Sequence, residues 1–260
     1  MARLPGFPTA LHEQVAALAR AFVVDRAPVD TVLVVNSCAR GQATPDSDLD
    51  LAVLVAPTVS AIEVQALEKA WQDYAVAHPL VGAFKRSGRF AYVHLDVFTG
   101  EFTPTIWDEG GGPDTFEIEI GNRIAHSAPL GATGPWFREL GDRWLPYYDD
   151  QLRERRLSMI REACTHDLAY LTSCSERGLH FQAFDRLYKA FQEFLQALFI
   201  SRRIYPIAYN KWIREQVAEW LGLADLYREL PPIISVGDIE SRELIFKTEI
   251  LTELLERWTS

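Results

Sequence analysis

The stretch Thr31–Val55, TVLVVNSCARGQATPDSDLDLAVLV, decides how this chain folds. Two apolar runs, Thr31–Val35 and Leu49–Val55, flank a polar segment punctuated by Gly41 and Pro45. Val and Leu suit a buried pleat, while Gly and Pro interrupt one, so the stretch predicts strand, tight loop, strand. Asp48 and Asp50 stand at the entrance of the second run. Side chains two apart on a strand leave the same face, separated by about 7 Å along the chain. Two carboxylates there repel each other and resist desolvation, and a divalent cation between them would offset both costs. Aspartate oxygens are the ligands Mg²⁺ takes when it also binds substrate phosphates. The same spacing suits a solvated strand end, or a turn capped by Ser47 and Asp48.

The segment around these acids, NSCARGQATPDSDLDL, is similar to the signature of the nucleotidyltransferase superfamily, the polymerase-β-like fold that includes minimal and antibiotic nucleotidyltransferases. That family ends its first strand on Gly-Ser and places Asp-x-Asp further on. Here Asn36-Ser37 takes the Gly-Ser position, Ala39-Arg40-Gly41 a common Ala-Arg-Gly extension, and Asp48-Leu49-Asp50 the paired carboxylates. The departure is Asn36. Glycine lets backbone approach a phosphate closely, and Asn is the residue that next best tolerates left-handed backbone. The resemblance, which covers roughly the first half of the chain, implies a transferase that uses Mg²⁺ or Mn²⁺ and a nucleoside triphosphate, usually ATP. It gives Asp48 and Asp50 the metal that bridges the triphosphate, and gives Ser37, with Asn36 and nearby backbone N–H groups, the phosphate oxygens. Arg40 would add charge there, or pair with Asp46 instead.

Composition bounds the alternatives. The 260 residues hold one large domain or two ordinary ones, and 48% apolar content with seven Trp indicates a folded protein. A formal charge of −10 argues against DNA or RNA as a partner, because such binding rests on Lys and Arg neutralising phosphates. A metal–nucleotide complex stays open, since the cation carries the charge. No apolar run is long enough to span a membrane, and MARLPGFPTALHEQ lacks the apolar core of a signal peptide, so a cytoplasmic location is the expectation. Cys38, Cys164 and Cys174 are too scattered for a disulfide framework or a metal-type cluster.

Outward from the opening stretch, Thr9–Val24 has helical spacing at Leu11, Val15, Leu18 and Phe22. Ser60-Ala61-Ile62-Glu63 reads as a capping box that starts a helix ending at Pro79. Phe90–Phe98 is a third strand, with Asp96 in its apolar interior and His94 two residues earlier on the same face. In the family, a third carboxylate on a strand beside Asp-x-Asp completes the site, as metal ligand or as base for the acceptor hydroxyl; the resemblance gives Asp96 that role. A strand histidine is more often packed or hydrogen-bonded than catalytic, so His94 is not assigned.

Glu109–Pro113 is a glycine-rich segment without the Lys-Ser/Thr of a phosphate loop, and reads as a surface loop. Thr115–Ile120 alternates like a half-exposed strand that presents Glu117 and Glu119, each an alternative general base. Ile124–Ser127 reads as a last short strand.

Beyond the Gly- and Pro-rich residues 131–146, read as a linker, the pattern turns helical. Leu157, Ile160, Cys164, Leu168 and Leu171 recur at helical steps, with Arg153 to Arg156 on the outer face. Phe184, Leu187, Tyr188, Phe191, Phe194, Leu195 and Leu198 form a second, broad apolar stripe opposite Asp185, Lys189, Gln192 and Glu193. Asn210–Leu221 and Asp238–Trp258 supply two more helices around a Pro231-Pro232 turn. The expected fold is therefore α+β: a nucleotidyltransferase-type mixed sheet flanked by helices at 1–130, then an all-α bundle at 147–260. This second half resembles the helical domains that accompany minimal and antibiotic nucleotidyltransferases. The resemblance implies a cleft between the halves where a lysine meets nucleotide phosphates as a point charge, with Lys189 and Lys211 as candidates.

The expected activity is transfer of a nucleoside monophosphate, AMP from ATP being the family's usual case, to a hydroxyl of a small-molecule acceptor. The acidic surface would suit a cationic one. Transfer to a protein or RNA, as in regulatory or toxin-type members, and a non-catalytic nucleotide-binding module are the alternatives.

Overall fold

The computed structural model describes residues 4–107 and 111–259. Of the glycine-rich segment expected as a surface loop, Glu109 and Gly110 lie outside the described residues. The chain groups into two compact units, residues 1–103 with 119–145, and residues 104–118 with 146–260. The first is an α+β unit around a four-stranded mixed sheet, and the second is helical.

In the first unit, β1 (Val29–Val34) pairs antiparallel with β2 (Leu49–Val55), and β2 pairs parallel with β3 (Val93–Phe98). A short β4 (Ala128–Pro129) pairs antiparallel with β1, which gives the order β3-β2-β1-β4. Every residue of β2 is buried except Asp50. One sheet face, formed by Val32, Val34, Leu49, Leu51, Val53, Val55, Leu95 and Val97, packs with three helices. These are α1 (Ala10–Val24), α3 (Ala61–Ala77) and α4 (Pro79–Ser87), which contribute Val15, Ala19, Phe22, Leu67, Trp71, Val81 and Phe84. Full burial of side chains of this size contributes about 1.5–3 kcal/mol each, so the layered core holds the sheet. The opposite face carries Asp50, His94 and Asp96 at positions set by the strand period and register.

The helix starts follow the sequence. Thr9 Oγ1 accepts from His12 N at 3.4 Å to cap α1. Ser60 and Glu63 form the expected reciprocal box, with Glu63 Oε2 accepting from Ser60 N at 2.8 Å. Pro79, however, starts α4. It sits at the first helical position, where its missing N–H has no intrahelical partner to lose. The loop after β1 likewise contains a short helix, α2 (Asn36–Arg40), that ends on the left-handed Gly41, φ 73°. The third strand begins at Val93, later than the expected Phe90.

The stretch expected as a strand at Thr115–Ile120 is instead helix α5 (Phe116–Ile120), continued by a π-helical turn at Gly121–Ala125. Asp114 Oδ1 accepts from Phe116 N at 3.0 Å, which starts a turn that a strand would not make. The last strand accordingly lies at β4, not at Ile124–Ser127. Residues 131–146, expected as a linker, contain helix α6 (Pro135–Trp144). Its N-cap, Gly134, has no side chain, and Asp30 supplies the acceptors from β1: Trp136 N donates to Oδ1 at 2.9 Å and Phe137 N to Oδ2 at 3.0 Å. A side chain on Gly134 would collide with the Asp30 carboxylate, so glycine is required there.

The second unit is built on α7 (Asp150–Glu176) and α8 (His180–Arg202), joined by a tight turn through Gly178. Helices α9 (Ala224–Ile234) and α10 (Glu243–Trp258) complete one core, formed by Ile160, Leu168, Leu171, Leu187, Phe191, Phe194, Leu198, Leu230 and Leu254. The Asn210–Leu221 stretch forms a π-helical turn at Arg214–Trp220. Pro231 and Pro232 lie inside the last turn of α9 and do not separate two helices. The last helix starts at Glu243, after Asp238 rather than at it.

Two charged residues expected on solvated helix faces are buried. Arg156 Nε donates to Glu117 Oε1 at 2.5 Å and its Nη2 to Asp114 Oδ1 at 2.8 Å. Glu193 is fully buried beside Asp167. Among the described residues, no helix is long and apolar enough to cross a membrane. The three cysteines are free and buried.

Candidate functional site

The sheet brings one end of β2 beside one end of β3. Parallel register sets Asp50 opposite His94, and Leu49 N donates to Tyr92 O at 2.8 Å. One ligand atom each from Asp48, Asp50 and His94 lies within 4.8 Å of the other two, and His94 Nε2 is 3.9 Å from Asp48 Oδ2. Two carboxylates and an imidazole at this spacing suit one divalent cation. Asp48 and Asp50 are half-buried and His94 is exposed, so the group is open to a ligand.

Several backbone contacts hold this corner. Val35 N donates to Asp50 O at 3.0 Å, and the Cys38 thiol lies 3.7 Å from Asp48 O. Burial first, then the charges of Asp50 and Asp48, push the Cys38 thiol up to about 12, so it stays protonated and unreactive. His12, on α1, is fully buried, and its Nε2 is 3.1 Å from Ser47 O, next to Asp48. Because a carbonyl only accepts, Nε2 carries the proton and Nδ1 accepts from the Thr9 hydroxyl at 2.8 Å. Burial lowers the His12 pKa, which keeps this neutral tautomer. The sequence reading left His12 unassigned.

Asn36 takes the left-handed conformation expected of the family's glycine, with φ 56°. Its side chain is used as well: Nδ2 donates to Asp50 Oδ2 at 2.8 Å. Ser37 follows at the start of α2, half-buried, and Arg40 is buried in the same short helix. Asp96 lies two residues beyond His94 on the same strand face, outside the group of three. Asp96, expected in the apolar interior of its strand, is exposed, because β3 is an edge strand.

The alternative bases have other partners. Glu117 is fully buried and accepts from Arg156, from Tyr148 Oη at 2.8 Å and from Gln196 Nε2 at 2.8 Å. That set engages both of its oxygens and gives it a structural role. Glu119 Oε2 lies 3.8 Å from Arg123 Nη1. In the helical unit, Lys189 pairs with Asp185 at 2.8 Å, and Lys211 is exposed, its carbonyl accepting from Gln216.

Residues 18–84 match the family model described as nucleotidyltransferase domain. A comparison with curated proteins found no match. The matched nucleotidyltransferase segment runs from within α1 to Phe84 in α4, and so contains Asn36, Ser37, Asp48 and Asp50. It ends before β3, so His94 and Asp96 lie outside the matched part. The match supports nucleotidyl transfer in general.

Proposed function

We propose that this protein transfers a nucleoside monophosphate from a nucleoside triphosphate, with ATP as the donor, to a hydroxyl of a small-molecule acceptor. The observation that carries the reading is the convergence of Asp48 and Asp50, inside the matched domain, with ligand atoms within 4.8 Å of each other. Asp48, Asp50 and His94 fit a divalent cation by donor chemistry and spacing. Such a cation, Mg²⁺ or Mn²⁺, supplies charge neutralisation along the triphosphate and polarises the phosphoryl oxygens.

The chain's own residues then have distinct tasks. The Ser37 hydroxyl and the backbone N–H groups beside it bind phosphate oxygens that lie beyond the reacting phosphorus. Asn36 holds Asp50 in one rotamer through its 2.8 Å bond. The acceptor oxygen attacks the α-phosphorus in line; its new P–O bond forms as the bond to pyrophosphate breaks. Asp96, exposed on the same strand face as His94, takes the proton that the acceptor hydroxyl loses. The reading does not rest on Lys189 or Lys211, which belong to the helical unit.

Asp48→Asn tests it. The change is nearly isosteric, and Asp48 is half-buried, so folding should be retained. One negative oxygen ligand is lost from a hard cation. Metal-dependent ATP binding, read by calorimetry, and pyrophosphate release with a panel of hydroxyl acceptors should both be abolished. A folded Asp48→Asn protein that binds Mg²⁺–ATP as tightly as the parent would overturn the catalytic reading.

A further inference from the structure

We propose that His94 is a metal ligand and that it biases the Asp48–Asp50 site toward Mn²⁺ over Mg²⁺. The inference rests on the reading that these two aspartates hold a divalent cation. What singles out His94 is register. It stands directly opposite Asp50 in the parallel β2–β3 pair, and its ring nitrogen completes the group of three with Asp48 and Asp50. Asp96, one strand period further on, does not belong to that group. Within that group the third donor is therefore a nitrogen.

That substitution of nitrogen for oxygen has a chemical consequence. Mg²⁺ is small, prefers oxygen and loses its waters reluctantly. Mn²⁺ also takes carboxylates and, although the weakest binder of the first-row divalent series, accepts an imidazole nitrogen more readily than Mg²⁺ does. A set of two carboxylates and one imidazole gains little for Mg²⁺ from its third member and more for Mn²⁺. The plainer alternative is a surface ion pair between His94 and Asp48, with 3.9 Å between Nε2 and Oδ2. With side-chain exposures of 58% and 42%, such a pair contributes very little to stability, so stability does not account for the placement. Asn36 strengthens the ligand reading. By donating to Asp50 Oδ2, its side chain fixes the direction in which that carboxylate faces.

The test is Mn²⁺ binding to the full-length protein without nucleotide, followed by electron paramagnetic resonance, with Mg²⁺ as competitor. The pulsed version of the measurement detects a ¹⁴N nucleus bonded to Mn²⁺, and this readout is independent of activity. The parent should show nitrogen coupling. His94→Ala should lose that coupling and bind Mn²⁺ about tenfold more weakly or worse, with Mg²⁺ affinity changed far less. His94→Asp should restore tight binding and move the preference back toward Mg²⁺. His94 is exposed, so both variants should fold, as circular dichroism can check. If Mn²⁺ affinity depends on Asp48 but not on His94, and no nitrogen coupling is seen, the inference fails and the aspartate site stands. If the parent binds no Mn²⁺, or Asp48→Asn binds it as the parent does, the metal reading beneath the inference fails as well.

Discussion

Glu193 gives the sharpest energetic prediction, because the fold places an acid where water cannot reach it. It is fully buried on α8, and among the described residues its carboxylate has no well-formed hydrogen bond, the Trp107 indole being a weak donor to it. Burial first, and the neighbouring Asp167 second, push its pKa up to about 8; Trp107, Arg186 and Lys189 offset this only in part. The folded protein therefore prefers Glu193 protonated. Stability from this group is complete below its unfolded pKa, near 4.5, and is lost as pH rises through about 8. Each pKa unit is worth about 1.4 kcal/mol, so ionising the unfolded chain removes on the order of 3 kcal/mol by pH 7 and about 5 kcal/mol above pH 9. Glu193→Gln removes the titration at nearly constant shape. It should match the parent near pH 4.5 and exceed it increasingly toward pH 9, by on the order of 1–3 kcal/mol at neutrality once relaxation is allowed for. Urea unfolding of both proteins at several pH values, followed by fluorescence, reads the difference directly, since Trp107 adjoins the group. A difference that stays flat between pH 5 and 8.5 would refute the buried-acid argument.

Two further predictions concern the sheet unit. Asp30→Ala strips the acceptors from two N–H groups at the start of α6, and should cost about 1–2 kcal/mol by thermal or chemical denaturation, with Asp30→Asn recovering part of it. Asn36→Gly trades the bond to Asp50 against relief of left-handed strain, so stability should stay within about 1 kcal/mol of the parent. Asn36→Ala loses the bond and keeps the strain, and should be clearly less stable than the glycine variant in the same melts.

Much of the first unit was legible because its signals are local. The β2 run and the Ser60 capping box each declare themselves within a few residues, and the structure has both. The left-handed backbone of Asn36 was also legible, through the glycine it replaces in the family motif. What periodicity could not reach were the elements decided by distant partners. Thr115–Ile120 alternates like a strand, but Asp114 turns the chain there, and Glu117 meets an arginine 39 positions away instead of solvent. The same blindness put Arg156 and Glu193 on outer helix faces, since a helical wheel counts charge as exposed unless a buried partner is known. Residues 131–146 look like linker because Gly134 carries no cap, and the cap comes from Asp30, more than a hundred positions earlier.

His94 marks the same boundary inside the site. Its spacing from Asp96 was readable, and so was the strand face the two share, because strand period alone sets both. Which of them stands against Asp50 depends on register: a two-residue slip would set Asp96 there, and a one-residue slip would turn both to the other face. The register is set by the pairing of Leu49 with Val93, where Val93 is the first residue of β3 and Leu49 N reaches back to Tyr92 O. The nitrogen is thus brought to the two aspartates by a backbone pairing that no motif encodes. The matched family segment stops at residue 84, so it contains the two carboxylates and not the histidine that register sets beside them.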